Sequence, residues 1–258
     1  MTKVAVAQFA MQAKIPNIDR VAAMSAEAAA LGAKLVVFPE LCLPGYDLPL
    51  LATQKRNIEK ESIESLQTIA LKYELAIFAG LATEKENIAV LVGRDGLLTR
   101  YSKTHLFDFK KARESDLFER GNGPISPTPW NNFQLAPLIC FDLRFPELAR
   151  SYAAKGANLF LTSSAWPYSR AEVFFTLARA RAIENQAYLL SSNFVGTNSS
   201  GDRFAGSSAI FAPDGSVLTK LDTEEEGVLV ADLDISFLET VRLELNCKAK
   251  QRSSEFYK

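Results

Sequence analysis

The chain has 258 residues, 48% of them hydrophobic and 23% charged, which is ordinary globular usage and excludes a disordered chain. Lys plus Arg number 29 against 30 Asp plus Glu, a net charge of −1, so no broad basic field exists to hold a nucleic-acid backbone. There is no run of about 18 apolar residues for a membrane span.

In chain order, residues 4–10 (VAVAQFA) form a short β-type run. Residues 18–32 are Ala-rich with apolar positions at helical spacing, and Gly32 suits the C-terminal stop. KLVVFPE (34–40) is an apolar strand of the kind buried on both faces. Residues 57–73 read as an amphipathic helix and 75–81 as a strand. Residues 87–92 and 97–103 flank Gly93-Arg94-Asp95-Gly96, a hairpin signal. A long polar segment follows (104–129), of a length that is usually functional or disordered. Then come a strand ending at Cys140, a helix over 146–155, a strand over 158–164, a helix over 171–185 and a strand over 187–193. A Gly/Ser stretch (196–206) precedes a second hairpin with Pro213-Asp214-Gly215 as its turn. Residues 228–233 form a late strand, 235–245 a last helix, and a polar tail begins at about 246. Alternating helices and strands with two inserted hairpins imply an α/β fold with mixed sheets and outer helices. No linker or repeat divides the chain, so residues 1–258 are expected to be one domain.

The N-terminal MTKVAVAQFAMQAK lacks the pattern of a signal peptide. Three cysteines, Cys42, Cys140 and Cys247, fit free thiols in a reducing cytoplasm. With one histidine, His105, and no C-x-x-C or H-x-x-H pair, no metal is expected. Phosphate-binding and dinucleotide-binding glycine motifs are missing as well. The chemistry is therefore expected to need no cofactor.

Three polar residues stand where apolar strands end: Glu40 after LVVFP, Lys103 after LLTRYS, and Cys140 after FQLAPLI. In open α/β sheets sites form at the carboxyl ends of strands. A carboxylate, an ammonium and a thiol delivered to one edge supply a base, an oxyanion stabiliser and a nucleophile. Singly, each has a plainer reading: Cys140 as a small buried hydrophobe, Glu40 and Lys103 as solvated strand ends.

FPELCLPGY around Glu40, YSKTHLF around Lys103 and ICFDLRFPE around Cys140 resemble the signature blocks of the nitrilase superfamily of carbon–nitrogen hydrolases, in that family's order. ESDLFERG (114–121), SSAWP (163–167) and ARARAIENQAYLLSSNFVG (178–196) resemble three further blocks, so the likeness covers nearly the whole chain. It implies a four-layer α-β-β-α sandwich of two mixed β-sheets, in a chain that dimerises with a second copy. It assigns Cys140 as nucleophile, Glu40 as general base and acid, Lys103 as oxyanion stabiliser, and Glu114 as a second glutamate that orients substrate or lysine. The chemistry agrees. A nearby ammonium is expected to favour the Cys140 thiolate, and the Phe141 N–H is a second oxyanion donor.

The stretch Trp166-Pro167-x-x-Arg170 resembles short-chain members that act on ω-amides of small dicarboxylates. Arg170 is the first candidate to pair a substrate carboxylate, with Lys110, Lys111 and Arg113 behind it. Tyr46 either lines the pocket or packs. Asp142, Arg144 and Glu147 are expected to fix the turn after the nucleophile. Arg179, Arg181 and Glu184 are read as an ion network or subunit contact, Cys42 and Cys247 as incidental thiols, and His105 as supporting structure rather than a base. The leading reading is a cysteine-dependent amidase releasing ammonia from a small carboxylate-bearing amide through a thioester. Carbamoyl compounds or nitriles on the same residues, or a catalytically silent scaffold, are the alternatives.

Overall fold

The computed structural model describes residues 1–11, 17–54, 58–109 and 112–247. Two six-stranded mixed sheets lie face to face. In the first, Thr2–Gln8, Leu35–Val37 and Ala76–Ala82 run parallel at the centre. Gly227–Leu233 flanks them antiparallel on one side, and the hairpin Asn87–Gly93/Gly96–Ser102 on the other. The second repeats the plan. Phe133–Ile139, Leu159–Ser164 and Tyr188–Asn193 are parallel. Thr128–Trp130 closes one edge and the hairpin Ala209–Phe211/Val217–Lys220 the other.

Side chains alternate across a strand, and here both faces are buried. Val4, Val6, Leu35, Val37, Phe78 and Leu91 enter the core shared with the second sheet. Their neighbours Ala5, Ala7, Val36, Ile77 and Val90 pack with Val21, Met24 and Ala28 of helix Asn17–Ala30 and Leu66 and Ala70 of helix Glu59–Tyr73. On the far side, helices Pro146–Ala154 and Ala171–Asn185 cover the second sheet with Tyr152, Phe174, Ala178 and Ala182. The result is the α-β-β-α sandwich. The inner sheet faces turn polar toward one end, and hydroxyls there bridge the layers. Ser163 Oγ donates to the Phe38 carbonyl at 2.8 Å and Ser192 Oγ to that of Ala7 at 2.6 Å. Each satisfies a backbone acceptor that burial would otherwise leave costly.

The predicted helices and both hairpins are present, and Gly32 follows the first helix at φ +87°. Two segments are more ordered than expected. The stretch 104–129 carries the antiparallel pair Asp108–Phe109/Ala112–Arg113, a 3-10 turn at Glu114–Asp116 and the edge strand Thr128–Trp130. Buried Glu114 organises it: Phe107 N donates to Glu114 Oε2 at 2.9 Å, and Glu114 N to the Phe107 carbonyl. The Gly/Ser stretch pairs Val195–Thr197 with Arg203–Ala205, its turn closed by Asn198 Oδ1, which accepts from the Ser200 and Asp202 amides. A short helix at Leu48–Leu51, capped by Asp47, follows the segment after Glu40.

Candidate active site

Glu40, Lys103 and Cys140 leave three different strands and meet at one end of the sandwich. Leu35–Val37 delivers Glu40, whose N–H reaches the Ser164 carbonyl of the other sheet at 3.3 Å. The approach is tight. Gly80 lies against this segment so closely that a Cβ there would sit 2.3 Å from Leu41 N and 2.7 Å from Glu40 Cα. Lys103 follows Gly96–Ser102 and is fixed by backbone bonds to Asn87 and Gly121. Cys140 leaves Phe133–Ile139 at φ +44° and opens a 3-10 turn, Cys140–Arg144. A left-handed conformation at a residue with a side chain costs of order 1–3 kcal/mol and persists only where neighbours impose it.

Asp142 imposes it. Its buried carboxylate accepts from Ile139 N at 3.0 Å, Tyr101 Oη at 2.9 Å, His105 N at 3.1 Å and the His105 ring Nδ1 at 2.8 Å. The His105 ring stacks on Phe145 at 3.6 Å. His105 therefore supports the turn through Asp142, and Asp142 itself fixes it.

Lys103 Nζ stands 2.5 Å from Glu40 Oε1 and 2.8 Å from Glu114, with all three side chains fully buried. Burial opposes the ammonium, but Glu114 and Glu40 outweigh it and hold Lys103 charged. Tyr46 Oη donates to Glu114 Oε1 at 2.8 Å, so Tyr46 is a partner of the second glutamate. Burial pushes Glu40 up to about 7, against the pull of Lys103. The Cys140 thiol is also pushed up, first by burial and then by Glu40, while Lys103 and the Ala165 N–H pull the other way. The expected bias toward a thiolate is thus reversed. Two carboxylates share the one ammonium, leaving too little positive charge to offset desolvation.

Phe141 N–H lies in the first turn of the 3-10 segment, where the turn itself supplies no acceptor. The Phe141 ring meets Phe107 and Phe145 edge-on. Trp166 is buried directly after Ala165, its indole N–H without a partner among the described residues. Arg144 lies between Trp166 and Phe141, at 5.2 and 5.9 Å from their rings, with no carboxylate partner among the described residues. Arg170 is exposed and lies over the Phe109 ring at 5.3 Å, farther along the aromatic strip. Arg113 is exposed and paired with Asp116, while Lys110 and Lys111 fall outside the described residues. Arg181 bonds the Leu143 carbonyl and Glu184, and Arg179 the Gly215 carbonyl, so this helix carries structural contacts. Cys42 is buried, and burial lifts its thiol to about 12.

One residue of the site carries no sequence signal of its own. Asn87 Nδ2 donates to Glu40 Oε1 at 2.7 Å. A polar residue opening a hairpin strand is ordinary, and only the folded sheet shows its neighbour.

Residues 3–243 match the carbon-nitrogen hydrolase family. The chain belongs to that family. It is a carbon–nitrogen hydrolase of the nitrilase superfamily. It is 32% identical to the 2-oxoglutaramate amidase of Bacillus subtilis over 81% of this chain and 82% of that one. It is 33% identical to a nitrilase of Pyrococcus abyssi over 100% and 99% of the two chains. Among solved structures it is similar to the amidase of Nesterenkonia sp. AN1, with a TM-score of 0.81, 29% identity, and 96% and 100% of the two chains covered. That structure shows the Michael addition of acrylamide at the active-site cysteine of the Nesterenkonia enzyme.

Proposed function

We propose that this carbon–nitrogen hydrolase is a cysteine-dependent amidase acting on a small carboxylate-bearing amide, the ω-amide of a dicarboxylic acid. The observation that carries this reading is the buried Glu40–Lys103–Glu114 array beside Cys140. Cys140 starts as a thiol. As Sγ attacks the amide carbon, Glu40 takes its proton, and the oxyanion is received by Lys103 Nζ and the Phe141 N–H. Protonated Glu40 passes the proton to the departing nitrogen, ammonia leaves, and a thioester remains on Cys140. Glu40 then takes a proton from water as the water oxygen attacks the thioester. The tetrahedral intermediate collapses, the acid leaves, and the proton returns to Cys140.

The substrate carboxylate finds its best partner in Arg144. A cation held between two rings, with no acid beside it among the described residues, is paired when an anion enters, whereas exposed Arg170 meets water. The 2-oxoglutaramate amidase relative supports the same substrate class. The test measures ammonia release from succinamate and from butanamide, with kcat/KM for wild type, Arg144→Lys and Arg170→Lys. Selective loss on succinamate in Arg144→Lys is expected. Equal losses on both amides would end the carboxylate assignment, and the same loss in Arg170→Lys alone would return it to Arg170. Because the Pyrococcus relative is named a nitrilase, butanenitrile and a carbamoyl amine belong in the screen. The active form is proposed to be a homodimer in the cytoplasm, formed by one domain spanning the chain.

A further inference from the structure

We propose that Asn87 is a positioning residue that divides the labour between the two oxygens of Glu40, Oε1 being the anchored atom and Oε2 the one that carries the proton. This rests on the reading of Glu40 as base.

Glu40 Oε1 receives two donors, Lys103 Nζ at 2.5 Å and Asn87 Nδ2 at 2.7 Å. Glu40 Oε2 is buried and has no hydrogen-bond partner among the described residues. A carboxylate accepts at both oxygens, and a buried acceptor left bare is costly. Loading both donors on one oxygen leaves the other as the more basic atom. Asn87 is placed to impose this choice. It is fully buried, and its own carbonyl accepts from Lys103 N at 2.9 Å, so one residue sets both the Lys103 backbone and the Glu40 carboxylate. Its amide orientation follows from chemistry, since an oxygen facing Glu40 would repel it. Without Asn87, the Glu40 side chain is free to rotate about its terminal bond and present either oxygen to Lys103.

The groups facing Glu40 are Lys103, Glu114, Cys140 and Tyr46. None of them changes in an Asn87 variant. Asn87 donates to the ionised form of Glu40 and holds its protonation range down. Removing the donor moves that range up, so the acidic limb of the kcat/KM profile shifts to higher pH.

The experiment compares wild type, Asn87→Leu, Asn87→Ser and Glu40→Gln. Turnover of succinamate and alkylation of Cys140 by iodoacetamide are followed against pH, in a background carrying Cys42→Ala and Cys247→Ala. Thermal melts identify the folded variants. The expected result is a loss of about tenfold or more in kcat/KM in the Asn87 variants, with KM little changed and the acidic limb moved upward in both readouts. Unmoved limbs in folded Asn87→Leu or Asn87→Ser, with Glu40→Gln inactive, overturn the role of Asn87 alone. Full activity in Glu40→Gln overturns the base assignment, and this proposal with it.

Discussion

At the scale of single residues, the site is one buried ammonium shared by two carboxylates beside a neutral thiol. As the proposed base, Glu40 acts only when ionised. With burial holding it at about 7, kcat/KM is expected to rise with pH through that region and to fall as the carboxyl takes a proton below it. Glu40→Gln removes this limb and costs at least about a hundredfold in turnover. Lys103→Ala should lose at least as much. It also leaves Glu40 and Glu114 buried without their cation, so a lowered urea midpoint distinguishes it from Glu40→Gln. Cys140→Ala tests the proposed nucleophile cleanly. Alanine at φ +44° is as strained as cysteine, so folding should be nearly unchanged while turnover vanishes. Full activity in a folded Cys140→Ala protein would refute the mechanism.

At the scale of elements, Cys140, the proposed nucleophile, is held by a turn and the turn by Asp142. Asp142→Ala strips the partner from two buried or half-buried backbone amides and from Tyr101. A loss of about 3 kcal/mol in stability is expected, together with most of the activity. His105→Ala removes one ring nitrogen and a stacked face. It should cost about 1 kcal/mol and keep substantial activity. An inactive but stable His105→Ala would instead make His105 the base of Cys140. Much of this was legible in the sequence, because a polar residue ending an apolar strand marks itself. Glu40, Lys103 and Cys140 each did so, and repeated strand and helix patterns announced both sheets. What stayed hidden depends on contacts across the sandwich. Asn87 touches Glu40 from 47 positions away, and Arg144 gains its cage from Trp166. The thiol's environment follows from burial shared by four charged or polar neighbours, which no local window contains. Gly80 had a signal, since a glycine inside a strand often marks close backbone approach. A Cβ there meets backbone rather than a movable side chain.

At the scale of the whole molecule, exposed apolar side chains occur on both sides of the sandwich, and several of them stand on the helices and the strand edge around the second sheet. Helix Ala171–Asn185 buries Phe174, Ala178 and Ala182 inward, yet Val173 and Ile183 stay 38% and 46% exposed on its other sides. A helix apolar on several sides is suited to burial on several sides. The last helix, Ile235–Glu244, docks against its end: Gln186 Nε2 donates to the Val241 and Leu245 carbonyls, and Arg242 Nε to the Gln186 carbonyl. This brings exposed Leu243 and Leu245, at 81% and 64%, beside the same region. The Gly215 turn packs on Ile183, adding exposed Val217 and Leu218 from an edge strand. Single exposed leucines need no explanation, but exposed apolar residues on two docked helices and an adjoining strand edge are suited to an interface. A stable pair needs roughly 800 Å² from each partner, which two helices of about 15 and 20 Å and a strand edge can supply. A homodimer is therefore expected at micromolar concentration, measured by sedimentation equilibrium. Leu243→Glu combined with Ile183→Glu should shift it to monomer, because an unpaired carboxylate at the centre of an apolar contact must be desolvated without compensation. A monomeric wild type removes the claim. A dimer untouched by the double substitution moves the interface elsewhere, and in both cases the proposed chemistry of Glu40, Lys103 and Cys140 is unaffected, since those side chains lie at the strand ends within one chain.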